Sequence, residues 1–313
     1  MRGKIRLKVG TRASLLARTQ TEQAAARLKK KFPGLEVKTV FITTSGDKFG
    51  AARPSDIGVK GLFVKEIEEA LLEGRIDFAV HSLKDMPSEI PKGLALGAIT
   101  QREDPRDCLI AKKRWSLKNL PRGARIGTSS LRRQAQILAL RPDVRVEPLR
   151  GNLDTRIRKL RAGKYDAIVV ARAGVRRLSG AIKTAGIFIQ PIPPDEIFPA
   201  VGQGSLAIEI RANDKKTRAM IESLNHAPSQ VQSLAERAFL NRLQGGCSVP
   251  VGIRSRVSGK KIVLEGVIAA PSGDPVVRKK VSGSANRAAQ LGDRLGKILL
   301  KAGGRTILDG IRR

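Results

Sequence analysis

The chain has 313 residues, enough for two or three domains of ordinary size. It carries 60 Lys and Arg against 28 Asp and Glu, a net charge of +32, and it has only two cysteines. So few cysteines exclude a disulfide framework, and no apolar run of the sequence is long enough to cross a membrane.

The excess of positive charge suits an anionic substrate, an anionic partner such as nucleic acid, or a surface that is simply well solvated. Aromatic residues make up only 3% of the chain, so few side chains could stack on bases. The basic residues are spread over the whole length and do not gather in one tail or helix. We therefore expect a solvated surface for most lysines and no nucleic-acid partner.

The first segment predicts an α/β lobe. A strand leads into the turn at 10–14, and a helix with apolar residues at helical spacing runs from Leu15 to just before Pro33. A second strand at 37–43 is followed by a polar loop at 46–58, which is long enough to act as a lid.

The segment at 60–80 is repeated at 150–170. In both segments a helix is followed by a glycine, a basic residue, an aspartate two positions later and an apolar strand. This repeat predicts two related lobes with mostly parallel sheets and a cleft at the carboxyl ends of their strands. The expected boundaries are 1–100 with 200–216 for the first lobe and 105–195 for the second, joined by a hinge at 101–107.

Beyond about residue 213 the pattern changes. A helix broken near Pro228, three short strands and a final helix over 288–301 predict a small α+β domain at 220–313. The strands are expected around 249–253, 262–268 and 276–281.

Both lobes have a turn that combines glycine and hydroxyl residues with a helix start, at 10–14 and at 127–130. Free backbone N–H groups at a helix start bind anions. Arg12 in the first lobe, and Arg132 and Arg133 in the second, add forks that suit carboxylates. Neither turn has the spacing of a Walker loop, so a nucleoside triphosphate is not indicated.

Asp85 follows a predicted strand and Lys84, among basic neighbours. A carboxylate in a cationic cleft stays ionised and can hold an N–H donor or stabilise a developing cation. The alternative is a salt bridge to Lys84 or to another base.

Cys247 follows two glycines that suit the end of a helix. The negative end of a helix dipole does not lower a thiol pKa, so Cys247 is better placed as a permanent attachment point than as a turnover nucleophile. The alternative is a small buried hydrophobe, which is what we expect of Cys108 in its apolar strand pattern. His81 and His226 stand far apart without cysteine spacing around them, so we expect no metal site.

In combination, six motifs resemble the porphobilinogen deaminase (hydroxymethylbilane synthase) family over nearly the whole chain. They are KGLF at 60–63, HSLKDMP at 81–87, GTSSLRRQ at 127–134, RGN at 150–152, VGQG at 201–204 and GGC at 245–247. The resemblance implies two lobes like those of type II periplasmic binding proteins plus the small α+β C-terminal domain. It also implies a dipyrromethane cofactor joined to Cys247 by a thioether. Four porphobilinogen units would be added in turn with loss of ammonia, and water would then release hydroxymethylbilane.

The same resemblance implies a role for each matched residue. Asp85 would be catalytic, holding pyrrole N–H groups and stabilising the cationic azafulvene formed as ammonia leaves. The implied cofactor-binding residues are Lys84, Asp85, Thr128, Ser130, Arg132, Arg133 and Gly151. The implied substrate-binding residues are Arg12, Ser14, Arg150, Arg156, Arg177 and Gln203. Lys60 and Phe63 would border the lid, and we expect a cytoplasmic monomer without a membrane partner.

Two other classes of function stay open at this point. A ligand-binding module of the periplasmic or transcription-regulator kind would share the two lobes but leave Gly246 and Cys247 unexplained. A nucleic-acid binder would be motivated by charge alone and predicts steeply salt-dependent affinity. The charge is more basic than expected of the family, and Ser248 stands where Gln is expected, but neither departure touches the matched site positions.

Overall fold

The computed structural model describes residues 5–48, 64–244 and 249–312. The chain divides into two compact units, Met1–Arg102 with Ser205–Gln230 and Glu103–Gly204 with Val231–Arg313. Each unit holds a five-stranded sheet, and the second also holds a three-stranded sheet. Within the described ranges, no helix is both long enough and apolar enough to pass through a membrane.

The first unit is built on strands and helices that are numbered here by their position in the chain. Its strands are β1 (Arg6–Thr11), β2 (Glu36–Phe41), β3 (Phe78–Ser82), β4 (Leu94–Ile99) and β10 (Leu206–Arg211). Its helices are α1 (Leu15–Lys31), α2 (Ser45–Lys48), α3 (Lys65–Leu72) and α7 (Lys215–Ile221). The predicted loop at 46–58 thus begins within the short α2, and its remainder from residue 49 lies outside the described residues.

The sheet of the first unit has the order β2-β1-β3-β10-β4. Successive side chains of a strand point to opposite faces, and β3 shows this directly. Phe78 and Val80 pack with Leu28 of α1 on one face, while Ala79 packs with Leu71 of α3 on the other. The sheet is therefore covered by a helix on each face.

The second unit repeats this construction. Its first sheet contains β5 (Asp107–Ala111), β6 (Arg125–Gly127), β7 (Arg145–Glu147), β8 (Ala167–Ala171) and β9 (Phe188–Pro191), in the order β7-β6-β8-β5-β9. Its helices are α4 (Leu131–Leu140), α5 (Leu153–Arg161) and α6 (Arg172–Arg177). Ile137 of α4 packs with Val169 on one face, and Leu160 of α5 packs with Val170 on the other.

The internal repeat is confirmed, and its aspartate has a structural task. Asp77 accepts a hydrogen bond from the Lys8 N–H at 2.7 Å, and Asp166 accepts the equivalent bond from the Arg125 N–H at 2.7 Å. Each aspartate thus ties the start of its own strand to the start of the neighbouring parallel strand. Gly74 and Gly163, with φ of 72° and 74°, make the matching left-handed turns before them.

The prediction of mostly parallel sheets is confirmed for four of the five strands in each sheet, and one strand in each sheet runs the opposite way. In the first sheet β1 is parallel to β2 and β3, but β10 is antiparallel to β3 and β4. In the second, β6 is parallel to β7 and β8, but β5 is antiparallel to β8 and β9. The antiparallel strand is β10 in one sheet and β5 in the other, and neither belongs to the repeated segments, so the repeat could not predict its direction.

The three-stranded sheet is antiparallel, in the order β11 (Val251–Ser258), β12 (Lys261–Ala269) and β13 (Val276–Ser284). Three helices accompany it: α8 (Ala227–Arg242), α9 (Ala288–Leu299) and α10 (Arg305–Arg312). Phe239 of α8 and Leu295 of α9 pack with Leu264 in the core of this part. The fold class is thus the expected one: two α/β lobes followed by a small C-terminal sheet with its helices.

The helix break predicted near Pro228 is found, whereas the end of the final helix differs from the prediction. The break before α8 lies at residues 222–226, and Pro228 stands in the first turn of α8, where the missing N–H of a proline costs little. The final predicted helix ends at Leu299, and a kink within Leu300–Gly304, where Ala302 and Gly303 (φ 106°) have non-helical backbone angles, leads into the unpredicted α10.

Candidate active site

Asp85 lies on a short 3₁₀ turn, Leu83–Asp85, directly after β3. Its apolar neighbours are anchored, since Leu83 is 2% exposed and Met86 is 5% exposed. The Met86 N–H donates to the Leu83 carbonyl at 3.2 Å and closes the turn. The turn therefore leaves Asp85 exposed and Lys84 half-buried, so a carboxylate is presented at a fixed strand end.

Two further contacts hold this turn within the first unit. The Leu83 N–H donates to the carbonyl of Ser205 at 3.0 Å. The side-chain amide of Gln20, which is 4% exposed, donates to Ser82 Oγ at 2.9 Å. Gln20 was not predicted as a site residue, although its spacing from Ala24 and Leu28 places this polar residue on the buried face of α1.

The helices that start at the two predicted anion-binding turns, α1 and α4, have no acidic residue in their first turn, a feature that α6 to α10 share and that α3 and α5 do not. Within each of these two helices, no side chain therefore offsets the positive end of the dipole. This arrangement favours an anionic ligand at both turns.

In the first turn, Ser14 caps α1 by accepting a hydrogen bond from the Ala17 N–H at 3.4 Å. In the second, the Ser130 side chain does not cap α4, and the Ser130 N–H donates to Thr128 Oγ1 at 3.2 Å. Thr128 is 3% exposed, so its hydroxyl stabilises the turn from a buried position.

Gly151 precedes α5 with φ 105°, a left-handed conformation that favours glycine. Its carbonyl accepts from Arg156 Nε at 2.7 Å, and the carbonyl of Arg150 accepts from Lys159 Nζ at 3.0 Å. These bonds fold the turn back onto α5. Arg150 and Arg156 are both half-buried beside it.

Arg177 and Gln203 come together near the turn at 201–204. Arg177 Nη2 donates to the Gly204 carbonyl at 2.7 Å. Gln203 is 1% exposed, and its amide donates to the Pro105 carbonyl at 2.7 Å. The second unit therefore brings these two residues together, with Gln203 directed inward.

Arg132 and Arg133 converge on one buried carboxylate, that of Asp107. Arg132 Nη1 lies 2.7 Å from Asp107 Oδ2, and Arg133 Nη2 lies 2.8 Å from Oδ1. Asp107 is fully buried and both arginines are 5% exposed. Burial raises the pKa of Asp107, but the two guanidinium charges outweigh it and hold that pKa well below its usual range.

One donor in this group has no hydrogen-bond partner within the described part of the chain. It is Arg133 Nε, which is buried. A buried donor left without an acceptor costs about 1–3 kcal/mol. A carboxylate-bearing cofactor fits this donor set, because it would supply acceptors to a site rich in guanidinium N–H groups.

Asp107 was predicted only as the last residue of a hinge, so its role was missed. A signal was available, since an aspartate that opens an apolar run must find a partner when the strand is buried. The same applies to Glu209 inside the apolar β10, which is fully buried with His81 Nε2 at 3.0 Å. Glu68 of α3 completes this second buried group.

Three predicted site residues lie outside the described residues: Lys60, Phe63 and Cys247. Cys108 is fully buried as expected, and burial together with the charge of Asp107 raises its pKa to about 12. Among the residues that the structure describes, no three or more His, Cys, Asp or Glu side chains form a group suited to a metal ion.

Two α/β lobes with arginine-bearing turns at uncompensated helix starts define a class of protein that binds small carboxylate-bearing molecules. Comparison with known families narrows that class. Residues 7–219 match the model described as "Porphobilinogen deaminase, dipyromethane cofactor binding domain", and residues 231–301 match "Porphobilinogen deaminase, C-terminal domain". The chain belongs to the porphobilinogen deaminase family.

Full-length relatives carry the same name. The porphobilinogen deaminase of Syntrophus aciditrophicus is 46% identical over 97% of this chain and 98% of its own length. That of a Roseiflexus species is 48% identical over 96% of this chain and 98% of its own. A solved ancestral arginine-binding protein is 19% identical, with a TM-score of 0.38 over 70% of this chain and 90% of that one, which is too distant to carry an argument.

The chain is accordingly a transferase of tetrapyrrole biosynthesis with a dipyrromethane cofactor. It joins four porphobilinogen molecules head to tail with loss of ammonia and releases hydroxymethylbilane by hydrolysis. A simple ligand-binding module and a nucleic-acid binder, which the sequence left open, do not account for these matches.

Proposed function

We propose that Asp85 is the catalytic carboxylate of this reaction and that Cys247 carries the cofactor through a thioether. The observation that supports Asp85 most is its exposed position on a turn whose neighbours Leu83 and Met86 are buried. A preplaced anion stabilises positive charge as it develops, at no cost of reorganisation during the reaction. Asp85 has this character because the turn is already anchored.

The cofactor's acetate and propionate groups are proposed to bind a cationic and hydroxyl set. This set is Lys84, Thr128, Ser130, Arg132 and Arg133, with Gly151 alongside and Asp85 at the pyrrole N–H groups. Support comes from the uncompensated start of α4 and from the unpartnered Arg133 Nε. When bound, the dipyrromethane supplies a pyrrole with a free α-carbon as the primer for the first addition.

The carboxylates of incoming porphobilinogen are proposed to bind a second set. This set is Arg12, Ser14, Arg150, Arg156, Arg177 and Gln203, with Lys60 and Phe63 bordering a lid. The uncompensated start of α1 beside Arg12 and Ser14 supports it. The inward hydrogen bonds of Gln203 make its proposed contact with substrate the least direct of the six.

In the proposed chemistry, the substrate's bond from its methylene carbon to nitrogen breaks and ammonia leaves. The resulting cation is stabilised by the Asp85 carboxylate. When bound, the cofactor would supply a nucleophilic pyrrole α-carbon for the new carbon–carbon bond, and the proton lost from that carbon would be taken up by the released ammonia. The arginines hold the carboxylates throughout, so that the reacting carbons stay in place.

The proposed setting is a cytoplasmic monomer that acts on a small molecule, without a nucleic-acid or membrane partner. The scarcity of aromatic residues, 3% of the chain, supports the absence of base stacking. The proposed domain division is 1–100 with 200–216, then 105–195, then 220–313.

The test is turnover of porphobilinogen by Asp85→Asn, with Glu89→Gln as the matched control. Glu89 is an exposed acid four residues further on. We expect Asp85→Asn to lose roughly 100-fold or more in kcat, because one preplaced charge is removed, while its melting temperature stays close to that of the wild type. Wild-type turnover in Asp85→Asn would remove Asp85 from the mechanism, as would an equal loss in Glu89→Gln.

A further inference from the structure

The carboxylate of Asp107 joins three residues to which the proposed function gives ligand contacts. Its oxygens accept from Arg132 at 2.7 Å, from Arg133 at 2.8 Å and from the Gln203 amide at 3.0 Å. Asp107 is fully buried, and Gln203 is 1% exposed. The group is therefore a closed network inside the second unit.

This network fixes the direction of both guanidinium groups. Arg132 Nη1 also donates to the Phe198 carbonyl at 2.6 Å, and Arg133 Nη1 donates to the Val169 carbonyl at 3.1 Å. Each guanidinium is thus held both by Asp107 and by a backbone carbonyl. A planar fork held by two acceptors has its plane set by the fold before any ligand arrives.

We infer that Asp107 is a positioning residue for the dipyrromethane site, which orients Arg132 and Arg133 so that their remaining N–H donors are ready for the cofactor's carboxylates. This rests on the proposed function, which assigns those two arginines to the cofactor. Without Asp107, the side chains of Arg132 and Arg133 would have to be ordered when the cofactor binds. The conformational entropy lost in ordering them would weaken cofactor binding. Asp107 itself touches neither cofactor nor substrate in this role.

A purely structural role makes a different prediction. If Asp107 only neutralises two buried arginines, its loss costs the fold the same amount whether or not the cofactor is attached. If Asp107 positions the arginines for the cofactor, its loss costs more in the cofactor-bearing protein, because the cofactor's own stabilising contacts weaken as well. Melting temperatures in the two states therefore separate the roles without any measurement of activity.

The experiment compares the full-length wild type with Cys247→Ser, each with and without Asp107→Asn. We expect Asp107→Asn to lower the melting temperature in both backgrounds, and by roughly 2–4 °C more in the wild-type background. The control is Asp143→Asn, which breaks the ion pair of Arg141 with Asp143 at 2.7 Å, at the other end of α4. We expect Asp143→Asn to lower the melting temperature by the same amount in the wild-type and the Cys247→Ser backgrounds.

Equal losses for Asp107→Asn in both backgrounds would overturn the inference. If Asp107→Asn yields no folded protein, Gln203→Leu takes its place, since it removes a neutral partner of Asp107 and leaves both ion pairs. If Gln203→Leu then lowers the melting temperature equally in the wild-type and the Cys247→Ser backgrounds, the inference is overturned. If the wild type and Cys247→Ser differ in mass only by the substitution, the proposed attachment fails first, and the inference falls with it.

Discussion

At the scale of single residues, two buried acids, Asp107 in the second unit and Glu68 in the first, differ in charge state. Asp107 has two guanidinium partners that keep it ionised. Glu68, 9% exposed, lies close to Glu209, which is fully buried. Burial and the charge of Glu209 raise the pKa of Glu68 to about 7, so this acid holds its proton up to neutral pH.

Glu68→Gln should therefore change how stability depends on pH. The unfolded chain releases this proton near pH 4.5 and the folded chain near pH 7, so the wild type loses stability as the pH rises between these values. Glutamine cannot ionise and mimics the protonated acid. We expect the variant to match the wild type at pH 4.5 and to exceed it at pH 7.5 by at most about 3 kcal/mol of unfolding free energy.

Denaturant unfolding at a series of pH values measures this difference. Glu22→Gln, on an exposed position of α1, is the control and should show no gap that grows with pH. Parallel stability curves for the wild type and Glu68→Gln would show that Glu68 is not the group that holds the proton.

At the scale of elements, α8 and α9 touch backbone to backbone. A Cβ added at Gly292 would lie 1.9 Å from the carbonyl oxygen of Ala235, and one added at Gly296 would lie 2.6 Å from Cγ of Arg242. Two glycines four residues apart fall on the same face of a helix. Here they allow the close approach that lets both helices cover the three-stranded sheet.

Gly292→Ala should destabilise the protein, because the added methyl group meets backbone that cannot rotate away. We expect a loss of roughly 1–3 kcal/mol of unfolding free energy or more. Gly310→Ala in α10 is the matched control, since nothing lies within 4 Å of a Cβ there. Alanine is the better helix former at such an exposed site and should add up to about 1 kcal/mol. Unfolding changes of the same sign in both variants would contradict this account of the helix contact.

At the scale of the whole molecule, the internal repeat of the sequence was enough to predict the two lobes and the order of helix and strand within each. Both lobes, their helix–strand order and the turns at 10–14 and 127–130 follow from local patterns of glycine, hydroxyl and apolar residues. The direction of β5 and β10 could not follow, because each joins its sheet from a segment that the repeat does not contain. Local pattern carries no information on such long-range pairing.

The candidate site was predictable in its cations and less so in its buried partners. Arg132 and Arg133 were found because they stand beside a glycine-rich turn. Asp107 was not, because its pairing depends on β5 lying next to β8, which is a tertiary contact. Gln20 was missed for the same reason, since its partner Ser82 is 62 residues away along the chain.

Cys247 is proposed to carry the primer, and a measurement of the intact protein's mass shows whether it does. The full chain would be weighed as purified and again after incubation with porphobilinogen. Cys108→Ser is the matched control, because burial raises the pKa of the Cys108 thiol to about 12 and leaves it unreactive. We predict an excess of two pyrrole units on the wild type and on Cys108→Ser, and the bare polypeptide mass for Cys247→Ser. An excess that persists in Cys247→Ser, or a wild type that stays bare after incubation, would contradict the account.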